Sequence, residues 1–308
     1  MSFQEQERAL FDLLFDQTLR EQFCSNSLKA LEGYDLSEEE QADFREIRPD
    51  ALEMDAKMRR GFLLSHICRA FPLSFSLVCS FDGGRNILKN LVDADTIRAN
   101  VFERPVLFGT RLRETMAEFR YEQEGDHHLS MAIIETELSM AMVSSSLKKQ
   151  QVLTNVDGRV STDIGPGWSA CALKFAPHVG VTIIPRPYSE MKKILCPVAD
   201  TELWDYLAHG AVSKSERRSI MNNEDRRLFF TRARIARMSL CDPEVDFQTM
   251  ELSEGFASLV QHLDGQNSVD TILQQLQQAG AEQRILEGVK DGFLRLLENG
   301  MLEINKEA

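Results

Sequence analysis

Side chains able to do chemistry are scattered along this chain rather than clustered. The one adjacent histidine pair is His127-His128, with Glu124 and Glu135 close by. A metal centre needs several His, Cys or carboxylate ligands at set spacings. Adjacent residues on a helix point about 100° apart, so a straight helix cannot aim both rings at one ion. The chain carries no His-Glu-x-x-His, no facial-triad spacing and no Cys-His-Cys set. The pair therefore reads as the polar start of a helix. Asp82-Gly83-Gly84-Arg85-Asn86 and Gly165-Pro166-Gly167 are glycine-bearing turns, and neither is a phosphate-binding loop or a Gly-x-Gly-x-x-Gly. Ser-His-Asp triads assemble in space, and no spacing here signals one. The expectation is a chain without catalytic residues, metal ligands or a cofactor of its own.

Composition narrows the classes further. The 308 residues suit two or three domains, and 43% apolar content suffices for packed cores. The six cysteines, Cys24, Cys68, Cys79, Cys171, Cys196 and Cys241, include no Cys-x-x-Cys pair and read as buried reduced thiols. No apolar run is long enough for a membrane span, and the first residues lack a signal peptide's basic stretch and apolar core. The expectation is a cytoplasmic protein without membrane contact. A net charge of −13 disfavours nucleic acid as a general partner. That charge is uneven. Residues 1–60 hold 8 Lys/Arg against 15 Asp/Glu, whereas residues 211–237 hold 8 against 3. The basic segment Lys214 to Arg237 reads either as a contact for an acidic partner or as a solvated linker.

Three regions follow from the patterning. Residues 1–55 read as a helical domain: Leu10, Leu13, Leu14 and Leu19 recur near helical spacing, a helix starts near Ser27 with Gly33 as its C-cap, and Ser37 with Glu40 has capping-box spacing. Residues 56–225 read as a mixed α/β docking domain. In it, a helix passes into a strand at Phe75–Phe81, helices cover Thr110–Tyr121, His128–Leu147 and Thr201–His209, and strands cover Trp168–Phe175 and Val179–Ile184. Residues 226–308 are clearest. Strands at Arg234–Leu240 and Phe247–Leu252 form a hairpin around Asp242-Pro243-Glu244. A helix capped by Ser253 ends at Asp264-Gly265, a second is capped by Ser268 and ends at Gly280, and a third runs from about Glu282 to Asn299-Gly300. Met301–Ile304 adds a short strand. The fold class is α+β: an N-terminal helical domain, a mixed middle domain and a C-terminal winged-helix-like module of a β-hairpin plus three helices.

Two resemblances carry expectations. The leucine-rich first helix, Leu19-Arg20-Glu21-Gln22-Phe23, Tyr34-Asp35-Leu36-Ser37 and the glutamate-rich third helix loosely resemble the helical extradiol dioxygenase small subunit. That implies a helical fold and not its chemistry. In the C-terminal quarter, Leu263-Asp264-Gly265, Ser268-Val269-Asp270-Thr271-Ile272 and Phe293-Leu294-Arg295-Leu296-Leu297-Glu298-Asn299-Gly300-Met301-Leu302 resemble the PqqD-like domain. This is the recognition element for ribosomally made, modified peptides. The resemblance implies that a precursor's leader pairs with the strand edge Phe247–Leu252, with pockets against the helix Ile285–Leu297 reading its side chains. Phe247, Thr249, Glu251, Arg284, Lys290 and Phe293 are the candidate groove residues, with core the favoured reading for Phe293 alone. The last helix carries Arg284, Lys290 and Arg295 against Glu282, Glu287, Asp291 and Glu298, which argues against its entering a DNA groove.

Domain order and this motif also resemble the partner subunit (the TglI type) of multinuclear nonheme iron oxidative enzymes, as in the 3-thiaglutamate and methanobactin pathways. That resemblance implies a non-catalytic adaptor that presents a precursor peptide to an iron oxidase, its hetero-oligomeric partner, which modifies cysteine. The iron ligands would belong to that enzyme. The alternative is a winged-helix regulator or interaction adaptor unrelated to peptide modification. A third class, an enzyme hidden within residues 60–225, predicts a bound metal or ligand in the purified chain.

Overall fold

The fold was analysed in a computed structural model, which describes residues 3–154, 164–165, 167–210, 212–221, 226–237 and 243–305. It is mixed helix and sheet, as the α+β reading expects. Four helices open the chain: α1 (Phe3–Phe15), α2 (Gln17–Ser25), α3 (Ser27–Leu31) and α4 (Glu38–Glu46). Ser37 and Glu40 form the expected reciprocal capping box. Gly33 does not act as a left-handed cap: helix α3 ends on Glu32 in a right-handed conformation. These helices enclose a core of Leu13, Phe15, Phe23, Leu31 and Phe44, closed by Leu52 and Ala56 from α5 (Pro49–Cys68).

A helical body follows: α6 (Pro72–Cys79), α7 (Gly84–Asn90), α8 (Ala94–Arg98), α9 (Arg104–Ala117) and the long α10 (Glu124–Thr154). The strand expected at Phe75–Phe81 is instead helix α6. Pro72 opens it, and every residue from Pro72 to Val78 is buried. A helix buried all round has no polar face and so no helical period to read. The turn at Asp82-Gly83-Gly84 holds, with Gly83 at φ +74°.

Two small sheets complete the fold. Strands β1 (Ala172–Phe175) and β2 (Val179–Ile184) precede α11 (Tyr188–Leu195), α12 (Leu203–His209) and α13 (Lys214–Met221). After these come β3 (Arg227–Arg237), β4 (Glu244–Ser253), the short α14 (Ala257–Val260), β5 (Asp264–Ser268), α15 (Val269–Gln278), α16 (Gln283–Glu298) and β6 (Leu302–Ile304). One sheet has the order β5-β1-β6 and the other β2-β3-β4, all antiparallel. Pairing thus crosses position 226, since β1 and β2 join strands of the C-terminal segment. The expected hairpin is present, but its first strand starts at Arg227, seven residues earlier than read. Residues 238–242, including Cys241 and Asp242 of the expected strand end and turn, lie outside the described residues. Asp264-Gly265, read as a helix end, opens strand β5 instead. There Gly265 takes φ +82° and its carbonyl accepts from Asn305 Nδ2 at 2.8 Å.

The β2-β3-β4 sheet is sandwiched. Alternation along β3 sends Phe229 into the helical core and Leu228 and Phe230 into the C-terminal core. Helix α10 lies close on the first face. Thr136 and Thr182 hydroxyls meet at 3.0 Å, and a Cβ on Gly180 would stand 2.3 Å from Ser139 Oγ. Only glycine allows that approach.

Candidate functional site

Among the described residues β4 is an end strand. It pairs with β3 from Ser253 opposite Arg227 through Met250 opposite Phe230 to Glu244 opposite Arg237, and its other edge has no partner strand. Such an edge presents unmatched N–H and C=O groups to an incoming chain. The end of helix α16 reaches this strand through Asn299. The helix buries Leu286, Val289, Phe293, Leu296 and Leu297 on one face, whereas Ile285, expected to point inward, is exposed. Gln248 on β4 donates through Nε2 to Asn299 Oδ1 at 3.2 Å, and Asn299 Nδ2 donates to the Arg295 carbonyl at 2.8 Å. Strand and helix end are therefore tied directly together. Phe256, just past β4, lies edge-on to Phe293 at 5.0 Å. Its ring packs over Gly292, where a Cβ would come within 2.8 Å of it.

The six expected groove residues are not brought together. Met250 faces Phe230 and enters the C-terminal core, so strand parity turns Phe247, Thr249 and Glu251 to the opposite face. There the Glu251 carboxylate accepts from the Tyr188 backbone N–H at 3.0 Å and lies 3.9 Å from Arg227. Arg284 and Lys290 are exposed on the outer side of α16. Phe293 is fully buried, which settles its placement as core. Side chains of an added strand that pointed toward α16 would instead meet Gln248, Leu252 and Phe256. Counting parity back from Met250, an obvious core residue, would have selected Gln248. No sequence signal marked it, because the partner helix is distant in the chain.

The basic segment is partly structural. Arg217 of α13 is almost fully buried, 3.8 Å from Asp126 and stacked over Phe81 at 4.4 Å, so this part is no solvated linker. Lys214, also on α13, pairs with Glu122 at 3.0 Å, and Arg227, Arg232, Arg234 and Arg237 lie on β3 next to β4.

A second polar centre lies on the other side of the sheet. Glu137 of α10 is fully buried. Its carboxylate accepts from the backbone N–H groups of Leu73 (2.8 Å) and Ser74 (2.9 Å) at the start of α6, and from Tyr188 Oη (3.1 Å). Burial dominates over these donors and pushes its pKa up to about 7. The same burial, with the Glu137 charge beside it, holds Tyr188 well above an ordinary tyrosine. Tyr188 stacks on Phe229 at 5.2 Å. This centre joins α6, α10 and α11 behind β4.

His127 packs edge-on to Tyr121 at 5.3 Å, near the start of α10. Among the described residues no group of three or more His, Cys, Asp or Glu side chains comes together. The five described cysteines are free thiols. Cys68 and Cys196 are buried as expected, but Cys24 is exposed. No single described helix is long and apolar enough to cross a membrane. Compared with known proteins, the chain matches no family model, no curated protein and no solved structure.

Proposed function

We propose that this chain is a non-catalytic cytoplasmic adaptor that binds the leader of a ribosomally made precursor peptide by adding it as a strand to the free edge of β4. The carrying observation is that edge: β4 ends its sheet and is tied by Gln248 to the end of α16. In strand addition, backbone hydrogen bonds give affinity and alternate side chains give selectivity. The order of hairpin, short helix, α15 and α16 supports a winged-helix-like, PqqD-like reading of this module.

In this reading the N-terminal helices and the central body dock on a multinuclear nonheme iron oxidase, which holds the iron and modifies a cysteine of the peptide. Tethering the leader raises the effective concentration of the reactive end at the enzyme. The test is calorimetric titration of the full-length chain with the precursor encoded beside it, then co-purification with the neighbouring oxidase. The full chain is needed because β1 and β2 complete the sheets of the C-terminal segment. Absence of heat with the precursor, at protein concentrations well above micromolar, would remove the leader-binding reading.

A further inference from the structure

One side chain a strand in from the β4 edge carries a charge that no described residue pairs. Arg232 of β3 stands opposite Gln248 of β4 and opposite Val179 of β2. It is only 7% exposed. Its guanidinium makes no hydrogen bond or ion pair with any described residue. The group lies against the turn that ends α16: Nη1 is 2.2 Å from where a Cβ on Gly300 would stand, and Gly300 itself takes φ +63°. A side chain at position 300 would displace the guanidinium.

The surroundings do not neutralise it. Burial and the neighbouring Arg234 both pull the Arg232 pKa below an arginine's ordinary value. Glu303 acts in the opposite sense, but its carboxylate is engaged by Lys174 at 3.4 Å. The carbonyl end of α16 contributes a partial negative charge and no more. Gln248 adds a second unmet group on the same sheet face. Its Nε2 is used by Asn299, while its Oε1 is buried without a partner. Holding a largely buried cation without an ion pair is unfavourable. A protein keeps such a group where a ligand supplies the missing charge.

We infer that Arg232 and Gln248 form a subsite that reads an acidic side chain, Asp or Glu, on the peptide strand added to β4. This rests on the strand-addition reading of that edge. An added strand would lie two strand spacings from β3, about 10 Å. An arginine reaching under Gln248 and a glutamate reaching inward together bridge that gap. A guanidinium and a carboxylate can pair bidentately. The Gln248 carbonyl would take an N–H from the same strand's side chains.

The test uses the full-length chain and two fluorescein-labelled synthetic peptide pools. Both are randomised over Val, Ile, Thr, Phe and Ser and are identical except that one central position is Glu in one pool and Gln in the other. Fluorescence anisotropy should show the Glu pool binding about tenfold or more tighter. In R232M the preference should shrink to about twofold or less, while R234M keeps most of it. R232M should also melt no lower than the parent chain, because it removes an unmatched buried charge. Equal binding of the two pools to the parent chain would overturn the acidic subsite and leave strand addition standing. Failure of both pools to bind would take strand addition down with it. A lower melting temperature for R232M would mean that the protein itself holds the cation, and would equally overturn the subsite.

Discussion

The Tyr188 hydroxyl donates to the buried Glu137 carboxylate at 3.1 Å, while the Tyr188 backbone N–H donates to Glu251 on β4 at 3.0 Å. One residue thus links the candidate binding strand to an ionisable group inside the helical body. The Glu137 pKa is pushed up to about 7, from the ordinary carboxyl value of 4.5, because burial disfavours its charge. Its stabilising contribution is therefore fully present below about pH 4.5 and is lost as pH rises through about 7. The span corresponds to about 3 kcal/mol. Thermal melts followed by circular dichroism between pH 5 and 8 should show the parent chain losing stability relative to E137Q. Parallel pH profiles for the two would mean that Glu137 does not titrate in this window.

Gly180 lets α10 rest on β2. A Cβ there would stand 2.3 Å from Ser139 Oγ and 3.2 Å from Thr231 Oγ1. G180A should destabilise the fold by about 1–3 kcal/mol, the usual effect of overpacking. Combining it with S139A removes the nearest clash and should restore part of the loss. Urea denaturation of the two variants measures both effects, and an additive double variant would place the conflict elsewhere.

Phe293 and Lys290 share helix α16 but not its face. The first is fully buried against Phe256, and the second is exposed. F293A should cost about 3–5 kcal/mol, and K290A should stay within about 0.5 kcal/mol. A chemical denaturation series separates these readily.

Among the described residues, a side-chain hydrogen bond from Gln248 to Asn299 links β4 to the end of α16. Q248A and N299A should each lower stability by about 1 kcal/mol. A double-mutant cycle should show a coupling of about 0.5 kcal/mol or more. Simple additivity would mean the two amides are not partners in solution.

Much of the chain was legible where one face of an element meets water. Helix α16 announced itself by Val289, Phe293, Leu296 and Leu297 at helical spacing, although Ile285, read as inward, is exposed and Leu286 takes the buried place, and Ser37 with Glu40 announced α4 by its capping box. The hairpin β3–β4 was readable from its β-formers and alternation. Helix α6 was not, since Pro72 through Val78 are buried on every side and carry no period. The strand β5 was missed because Asp264-Gly265 reads locally as a helix stop. Its pairing with β1, some ninety residues earlier, is a non-local contact that no local pattern encodes.

Sequence alone therefore determined the α+β class, the bounds of α15 and α16 to within a few residues, and most of the residues they turn inward, because these depend on contacts within a few residues. Tertiary structure decided which strand is left at a sheet's end, which face of β4 looks toward α16, and that Phe247, Thr249 and Glu251 look away from it. It also placed Arg232 on the same sheet face as Gln248, mostly buried and without a hydrogen bond or ion pair among the described residues. Those outcomes depend on pairing between distant segments. A shift of one residue in the register of β4 would reverse which of its side chains look toward α16.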